Sequence, residues 1–474
     1  MKPSTGLFIL CFLSGNLFQG EIYAGNSNLA GISKDVSSRI DLNVSKAGPN
    51  DKALLKELLE KPLMADTAVQ IALLNNQSLQ AVLESWGIAK ADFNKTRLPE
   101  KPVFGVSIRF PGEDEPNNNT EFTVEQDFLS FVLFPLKSNL AGAELHKAEL
   151  QITKEVLDLA FEVKSAFYEV QGDRTMLSMR KRVLEQAEAS QELAKRQFEA
   201  GNINELNYTN ERSLYQDTKL EYLKTEAELT FKKENLNRLM GFGGENPTWE
   251  IKEGLEEIQI SEPPYEELLS LGMSKRLDLL IARKNVEALR SALSLNRFGV
   301  LGHPEVGIST EKDVNGGRVT GPAIKTEVPI YDLGQTDVSR SGAQLKEAEL
   351  RLKALENDVR SEIKQNRDRL FAVRAFVKEY RDSIIPIRQK INEETQKHYN
   401  YMLLGNYDLI RAKQNEILAN KEYIDSLKEY WIARSSLEKA VSSKLILSKN
   451  VEKDMKKEEP MDGMNHMHHG GNHE

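Results

Sequence analysis

The stretch QFEAGNINELNYTNER (residues 197–212) lies between two long helical patterns and predicts a tight reversal that joins them. The stretch HYNYMLLGNYDLIRAKQ (residues 398–414) begins 201 residues later and has the same setting. A chain that makes the same long excursion out and back twice is a tandem duplication, and this repeat decides the fold.

The duplication is also visible residue by residue. AGAELHKAEL (141–150) and SGAQLKEAEL (341–350) share Gly, Ala, Leu, Ala, Glu and Leu in register at an offset of 200. Glu162 and Lys164 match Glu362 and Lys364 at the same offset. Chance similarity between helices does not produce a constant offset, so the chain divides into two repeats, 51–247 and 248–448.

The first repeat predicts helices, a β-hairpin at about 102–128 and a long helical hairpin with its tip near 201. Within the long helix, apolar residues recur at alternating spacings of four and three, which is the seam of a coiled coil. Three seam positions are polar: Asp173, Arg180 and Gln191. The second repeat predicts a β-hairpin at about 304–330 and a helical hairpin with its tip near 402–406. Pro386 should bend its outgoing helix, whose seam is expected to continue through Ile387 and Ile391.

Composition supports an exported protein built from solvated helices. Charged residues make up 28% of the chain and aromatic residues 7%, and the net charge of −9 gives no sign of nucleic-acid binding. Residues 1–24 predict a signal peptide, with an apolar run from Leu7 to Leu13 and the only cysteine, Cys11. Residues 25–50 predict a flexible arm and residues 449–474 a disordered Met/His-rich tail. Because no run of about 20 apolar residues follows the leader, any membrane crossing must use strands.

Four strands are too few to close on themselves, since the smallest closed membrane barrels have about eight. The edges must then be paired by other copies of the chain. The sequence therefore predicts an oligomeric helical tube with a β-end.

Three stretches resemble the outer-membrane efflux (TolC-like) family: ALLNNQSLQA (72–81), EVPIYDLGQTDVSRSGAQLKEAEL (327–350) and DLIRA (408–412). Pro386 also lies where that family often has a proline. The resemblance implies a mainly α fold with membrane β: a homotrimer with a 12-stranded β-barrel on a trimeric α-barrel of long coiled-coil helices. It further implies a Gram-negative cell outer membrane location with a large periplasmic portion, contact with outer-membrane lipid, and docking to a periplasmic adaptor (membrane fusion) protein and an inner-membrane efflux pump. Such a duct is passive and catalyses no reaction.

The resemblance assigns roles to the two tips. Gly201 matches the family's glycine, whereas Met402 stands in that place at the second tip and is expected to need Gly405 to relieve the bend. The residues expected to dock the adaptor are Gly201, Asn202, Ile203, Leu206, Leu403, Leu404, Gly405 and Tyr407. Asp408 is expected to form a ring of three carboxylates in the pore, with Arg411 as its partner. The alternative role for Asp408 is an ordinary acid at a helix start.

The tail carries the only concentration of soft and borderline metal ligands. These are Met461, Met464, His466, Met467, His468, His469 and His473. Thioether favours Cu(I) and imidazole suits Cu, Zn and Ni, so weak Cu, Ag or Zn binding is expected, with no cofactor elsewhere. The cargo predicted from this tail is a heavy-metal cation, copper or silver first. Drugs, organic compounds and secreted proteins remain alternative cargoes.

Other classes of protein fit less well. The chain has no nucleotide-binding loop, no nucleophile elbow and no HExxH motif, so an enzyme is not expected. A periplasmic adaptor would have one helical hairpin and a β-rich remainder. A purely structural coiled coil would not need two β-hairpins.

Overall fold

The computed structural model describes residues 29–41, 52–98, 100–110, 117–244, 247–252, 254–258, 262–298, 304–326 and 334–445. The predicted leader and Met/His-rich tail lie outside these residues. The helices are α1 (Leu29–Ile40), α2 (Lys52–Glu60), α3 (Ala65–Asn75), α4 (Gln77–Thr96), α5 (Leu129–Val132), α6 (Phe134–Glu199), α7 (Glu205–Leu239), α8 (Tyr265–Lys275), α9 (Leu277–Phe298), α10 (Gln335–Glu379), α11 (Ile385–Asn400) and α12 (Asn406–Val441). The strands are β1 (Val103–Arg109), β2 (Asn119–Asp127), β3 (Glu305–Lys312) and β4 (Arg318–Lys325). The predicted fold class, long helical hairpins with two β-hairpins, is confirmed.

The two β-hairpins form one antiparallel sheet in the order β1-β2-β3-β4. β2 and β3, one from each repeat, are its central pair, with Val124 opposite Ile308. Side chains alternate between the two faces of a strand, so this register fixes which residues share a face.

Two compact units divide the described chain differently from the predicted repeats. One takes the described residues of Met1–Lys164, Glu234–Ile251 and Leu277–Asp358, and it contains the sheet. The other takes those of Ser165–Lys233, Lys252–Arg276 and Val359–Glu474, and it contains both helical reversals. Each unit includes helices from both halves of the sequence, because duplicated helical hairpins pack side by side rather than as separate globules.

Part of the predicted flexible arm is helical. Ile32, Val36 and Ile40, spaced four residues apart, are buried along α1. The Ser, Asn and Gly content of this region suggested a loose chain, but one apolar stripe is sufficient for a packed helix. Residues 42–50 lie outside the described part of the chain.

Two of the three polar seam positions, Asp173 and Arg180, have oppositely charged partners. Asp173 is buried, and its carboxylate contacts Lys428 Nζ at 2.9 Å and Lys232 Nζ at 3.2 Å. Arg180 contacts Glu221 at 3.3 Å. These contacts join α6 to α7 and α12, and buried charges of this kind require such partners.

Pro386 changes the outgoing helix of the second repeat through a π-helical turn at Tyr380–Ile384. Proline lacks an amide hydrogen and its ring crowds the carbonyl four residues earlier, so a wider turn relieves the clash. The predicted continuation of the seam is wrong beyond this turn. Val377 is buried, but Ile387 is 58% exposed and Ile391 is also exposed.

In each repeat, a side chain at the break between two short helices donates a hydrogen bond to the end of the return helix. At the break between α3 and α4, Asn76 Nδ2 donates to the Leu239 carbonyl at 2.8 Å, near the end of α7. At the break between α8 and α9, Arg276 Nη1 donates to the Ala440 carbonyl at 3.2 Å, near the end of α12. Each side chain thus satisfies a carbonyl that a helix end leaves without a partner.

Candidate functional site

One face of the sheet is apolar and exposed. The alternation of side chains and the strand register place on this face Phe104, Val106, Ile108, Phe122, Val124, Val306, Ile308 and Ile324. Soluble proteins seldom leave a contiguous apolar surface of this kind uncovered, so this face is an interaction surface.

The opposite face carries charge. Arg109 contacts Glu121 at 3.2 Å and lies 3.9 Å from Glu311. Lys325 contacts Glu125 at 3.4 Å and Glu305 at 3.6 Å across the strands. A sheet with one apolar and one charged face suits a boundary between lipid and water.

The sheet also has two unpaired edges within the described residues. β1 pairs only with β2, and β4 pairs only with β3. Unpaired edges of an exposed sheet are templates for pairing with another chain.

The first reversal is a glycine-ended helix terminus. Gly201 has φ +74°, and Asn202 N donates to the Gln197 carbonyl at 2.8 Å. A position that ends a helix in the left-handed conformation is most often occupied by glycine. Phe198 stacks on Tyr208 with ring centroids 5.3 Å apart, so the two arms of the hairpin are fastened beside the turn.

The second reversal uses the same geometry with a different residue. Met402 itself takes the left-handed conformation, with φ +59°, and Leu403 N donates to the His398 carbonyl at 2.9 Å. The expectation that Gly405 relieves the bend is wrong. Gly405 has φ −81° and instead precedes the first residue of α12.

Asp408 and Arg411 are both exposed in the single chain. The Asp408 carboxylate accepts the Gly405 amide at 3.3 Å, which caps the start of α12. Asp408 and Arg411, which both lie in the described part of the chain, form no ion pair with each other. Within one chain Asp408 is therefore a helix-start acid, and its role in a ring of carboxylates stays a prediction.

The two tips differ in polarity. At the second tip Met402 is 93% exposed, and Tyr401, Leu403, Leu404 and Tyr407 are exposed as well. At the first tip Leu206 is exposed and Ile203 is partly buried. The neighbouring residues of this tip are Gly201, Asn202 and further polar residues. Tyr401 and Met402 belong to the exposed surface of the second tip, although they are not among the docking residues predicted from the sequence. The sequence does contain an indication of this surface, because four consecutive apolar or aromatic residues, YMLL (401–404), follow a polar helix end.

A buried carboxylate near the tips was also missed. Glu211, in α7, is 8% exposed and accepts hydrogen bonds from Ser190 Oγ at 2.9 Å and Asn406 Nδ2 at 3.2 Å. It therefore joins both helices of the first hairpin to the first residue of α12. Sequence spacing gave no signal, because a glutamate in a charged helix resembles a solvated one.

A metal site is not present among the described side chains, where no group of three or more His, Cys, Asp and Glu is suitably placed. The tail residues predicted to bind metal lie outside the described chain. Every helix in the described ranges is too short or too polar to cross a membrane.

The chain has the fold of solved outer-membrane channels. The matching structures include a membrane protein from Pseudomonas aeruginosa (TM-score 0.67, 17% identity, covering 86% of this chain and 95% of that chain). They also include the outer membrane protein VceC from Vibrio cholerae (TM-score 0.64, 15% identity, 83% and 97%). The Campylobacter jejuni CmeC outer membrane channel matches with TM-score 0.66 and 14% identity, covering 89% and 94%.

Residues 68–242 match the family model described as outer membrane efflux protein. The match confirms the resemblance found in the sequence. No curated protein matches the chain in sequence.

Proposed function

We propose that the protein is the outer-membrane component of a tripartite efflux system, a passive trimeric duct that catalyses no reaction. The sheet with one apolar and one charged face is the observation that carries the proposal. Its apolar face contacts outer-membrane lipid and its charged face lines water. The long helical hairpins extend the duct into the periplasm, in keeping with the family match and the structural neighbours.

Three copies supply the strands that one chain lacks. Each chain has a four-stranded sheet with two free edges among the described residues, and about eight strands are the minimum for a closed barrel. Edge β1 of one copy pairs with edge β4 of the next, which leaves no free edge in the trimer.

Cell fractionation and cross-linking of the full chain test this proposal. We expect an outer-membrane trimer. Ile308→Arg, on the apolar face, should deplete that fraction, because an arginine facing lipid costs about 2–4 kcal/mol at mid-bilayer. Ser107→Arg, on the charged face, is the matched control and should assemble normally. A soluble monomer, or equal depletion by both variants, would overturn the proposal.

The helical tips are the docking surface for a periplasmic adaptor that connects the duct to an inner-membrane pump. Support comes from the exposed apolar second tip and the two left-handed turns. The second tip supplies the apolar part of the contact and the first tip the polar part. Met402→Ser should weaken adaptor capture more than Asn202→Ser, and equal effects would contradict this division.

The cargo is a heavy-metal cation, copper or silver first. Support comes from the seven Met and His residues of the tail, at positions 461–473. Titration of the full chain with Cu(I), Ag(I) and Zn(II) is compared with a variant in which these seven residues are serine. Unchanged binding in the variant would remove the argument for metal and leave the duct intact.

A further inference from the structure

The two faces of the sheet differ in how their cations are paired. The four described strands carry four cations, Arg109, Lys312, Arg318 and Lys325. Arg109 and Lys325 lie on the charged face, and each forms an ion pair with a glutamate of another strand. Lys312 and Arg318 are exposed, and neither forms an ion pair with any residue that the structure describes. Their charges are therefore available to another molecule.

Lys312 and Arg318 lie on the apolar face, at the end formed by the turn between β3 and β4. They are directly opposite each other in the register, four positions along β3 from Ile308. Between them and the apolar residues lies the pair Thr310 and Thr320, whose hydroxyl oxygens are 3.1 Å apart. The helices connect to the other ends of β3 and β4, so the two cations lie at the end of the sheet away from the helices. This face therefore changes from apolar side chains to hydroxyls and then to positive charge, which matches the order of acyl chains and anionic headgroups in a lipid leaflet.

The acidic residues next to these two cations in β3 and in the described turn have other roles. Glu311 lies on the charged face, where its carboxylate is 3.9 Å from Arg109. Asp313 Oδ1 accepts the Val314 amide at 2.7 Å within the turn. Two like charges directly opposite each other on paired strands are destabilising, so an anion bound between them would remove a repulsion.

The proposed trimer leaves these two cations without a counter-charge from the neighbouring strand. β4 is an edge of the sheet, and β1 of the next copy would pair with it. The sequence of β1, VFGVSIR, contains no aspartate or glutamate, and its one cation, Arg109, lies on the charged face. The trimer would therefore present three such cation pairs on its outer surface.

We propose that Lys312 and Arg318 bind a phosphate group of lipid A, the phosphorylated glycolipid that anchors lipopolysaccharide, at the rim of the apolar face. The inference rests on the proposed function, because it takes this face as lipid-exposed and its turn end as the outer-leaflet side. A phosphate monoester carries about −1.5 to −2 charges at pH 7, so two adjacent cations match it better than they match the single charge of a phosphodiester lipid. Arginine can bind two phosphate oxygens at once, and the hydroxyls of Thr310 and Thr320 lie beside the cations to contact the sugar.

Lipid binding by the full chain in detergent tests the site. Protein from the outer-membrane fraction is mixed with bisphosphorylated lipid A, dephosphorylated lipid A or phosphatidylglycerol, and the bound lipids are counted by native mass spectrometry. We expect the wild type to bind bisphosphorylated lipid A most tightly. Lys312→Gln/Arg318→Gln should bind it roughly 25-fold more weakly, because each basic residue near an anionic lipid surface contributes about a fivefold gain in affinity. Lys312→Arg keeps the charge and should bind as the wild type does.

Arg318→Gln and Lys325→Gln are the matched pair, since each removes one cation from β4, the first from the apolar face and the second from the charged face. Equal weakening by both would show a general effect of charge and overturn the site. Equal binding of phosphorylated and dephosphorylated lipid A, or equally tight binding of phosphatidylglycerol, would also overturn it. An outer-membrane trimer whose lipid A binding survives the double substitution would overturn the site alone. A wild type recovered as a soluble monomer would overturn the proposed function itself.

Discussion

Asn406 Nδ2 lies 3.2 Å from Glu211 Oε1 and donates a hydrogen bond to it, so the first residue of α12 is held by the return helix of the other hairpin. Ser190 Oγ donates to the second oxygen of the same carboxylate at 2.9 Å. One buried side chain thereby fixes the second tip relative to both helices of the first hairpin.

We expect Glu211→Ala to loosen the start of α12, because it removes the acceptor shared by Asn406 and Ser190. Leaving a buried polar group without its partner costs about 1–3 kcal/mol. Amide hydrogen exchange over residues 407–410 should accelerate roughly tenfold, the equivalent of about 1.4 kcal/mol. Glu228→Ala, an exposed glutamate on the same helix, is the control, and equal exchange in both variants would refute a role for Glu211.

Met402→Gly should stabilise the second tip by about 1 kcal/mol, because left-handed backbone costs a residue with a Cβ roughly 1–2 kcal/mol. Thermal unfolding of the detergent-solubilised protein measures the change. Met402→Ala keeps the Cβ and should give no such gain. Equal stability of the glycine and alanine variants would mean that the turn stores no strain.

Removal of Asp173 alone should destabilise the helical hairpins by about 3 kcal/mol, because it leaves the largely buried Lys428 with a weaker set of partners. The double variant Asp173→Leu/Lys428→Met should recover most of this loss, since apolar side chains replace a buried pair well. Chemical unfolding of the two variants makes the comparison. A double variant no more stable than the single one would show that the cluster contributes beyond its own pairing.

The same cluster gives a pH dependence. Burial disfavours the charge of Lys428, but its hydrogen bond to Asp173 and the attraction of Asp173 and Asp425 outweigh this, so its pKa is raised above 10.5. A lysine whose pKa is raised by folding adds to the free energy of unfolding. This contribution is fully present below the unfolded pKa of about 10.4, and it is lost as the pH rises through the folded pKa. Stability above roughly pH 10 should therefore fall more steeply in the wild type than in Lys428→Met. Parallel curves would contradict the assignment.

Gly241→Ala should cost more than Gly244→Ala, although both positions have positive φ, +86° and +80°. A Cβ at Gly241 would lie 2.4 Å from the backbone oxygen of Asn75, whereas a Cβ at Gly244 would meet no atom within 4 Å. We expect about 1 kcal/mol for Gly244→Ala from backbone strain alone. The difference between the two unfolding free energies then measures how closely α7 ends against the α3–α4 break.

Much of this architecture was predictable because periodicity and turn residues are local signals. The duplicated hairpins, the four strands and the reversal at Gly201 follow from seam spacing, alternation and a glycine in a helix end. The helix α1 was missed because its composition outweighed the spacing of Ile32, Val36 and Ile40. The role of Gly405 was misassigned because a methionine at positive φ is uncommon.

The site was less predictable, since its parts come together only in three dimensions. The exposed face of the sheet depends on the pairing of β2 with β3, which no local pattern encodes. The link between Glu211 and Asn406 spans 195 positions in sequence. Glu211 and Asn406 are polar residues of a kind common on exposed helix surfaces, so only the packed structure reveals that Glu211 is buried.

The π-helical turn at Tyr380–Ile384 accounts for a change in spacing between the repeats. Before it, equivalent residues such as Asn76 and Arg276 are 200 positions apart; after it, Gly201 and Met402 are 201 apart. The second repeat therefore carries one additional residue, and a helix rather than a loop absorbs it. A π-helical turn holds one more residue than an α-helical turn, so the additional residue is taken up there and the helix keeps its phase beyond it. The less exposed side chains Arg388, Asn392 and Thr395 accordingly lie 201 positions after Ala187, Gln191 and Ala194, and the two hairpins turn equivalent sides towards their neighbours where they end.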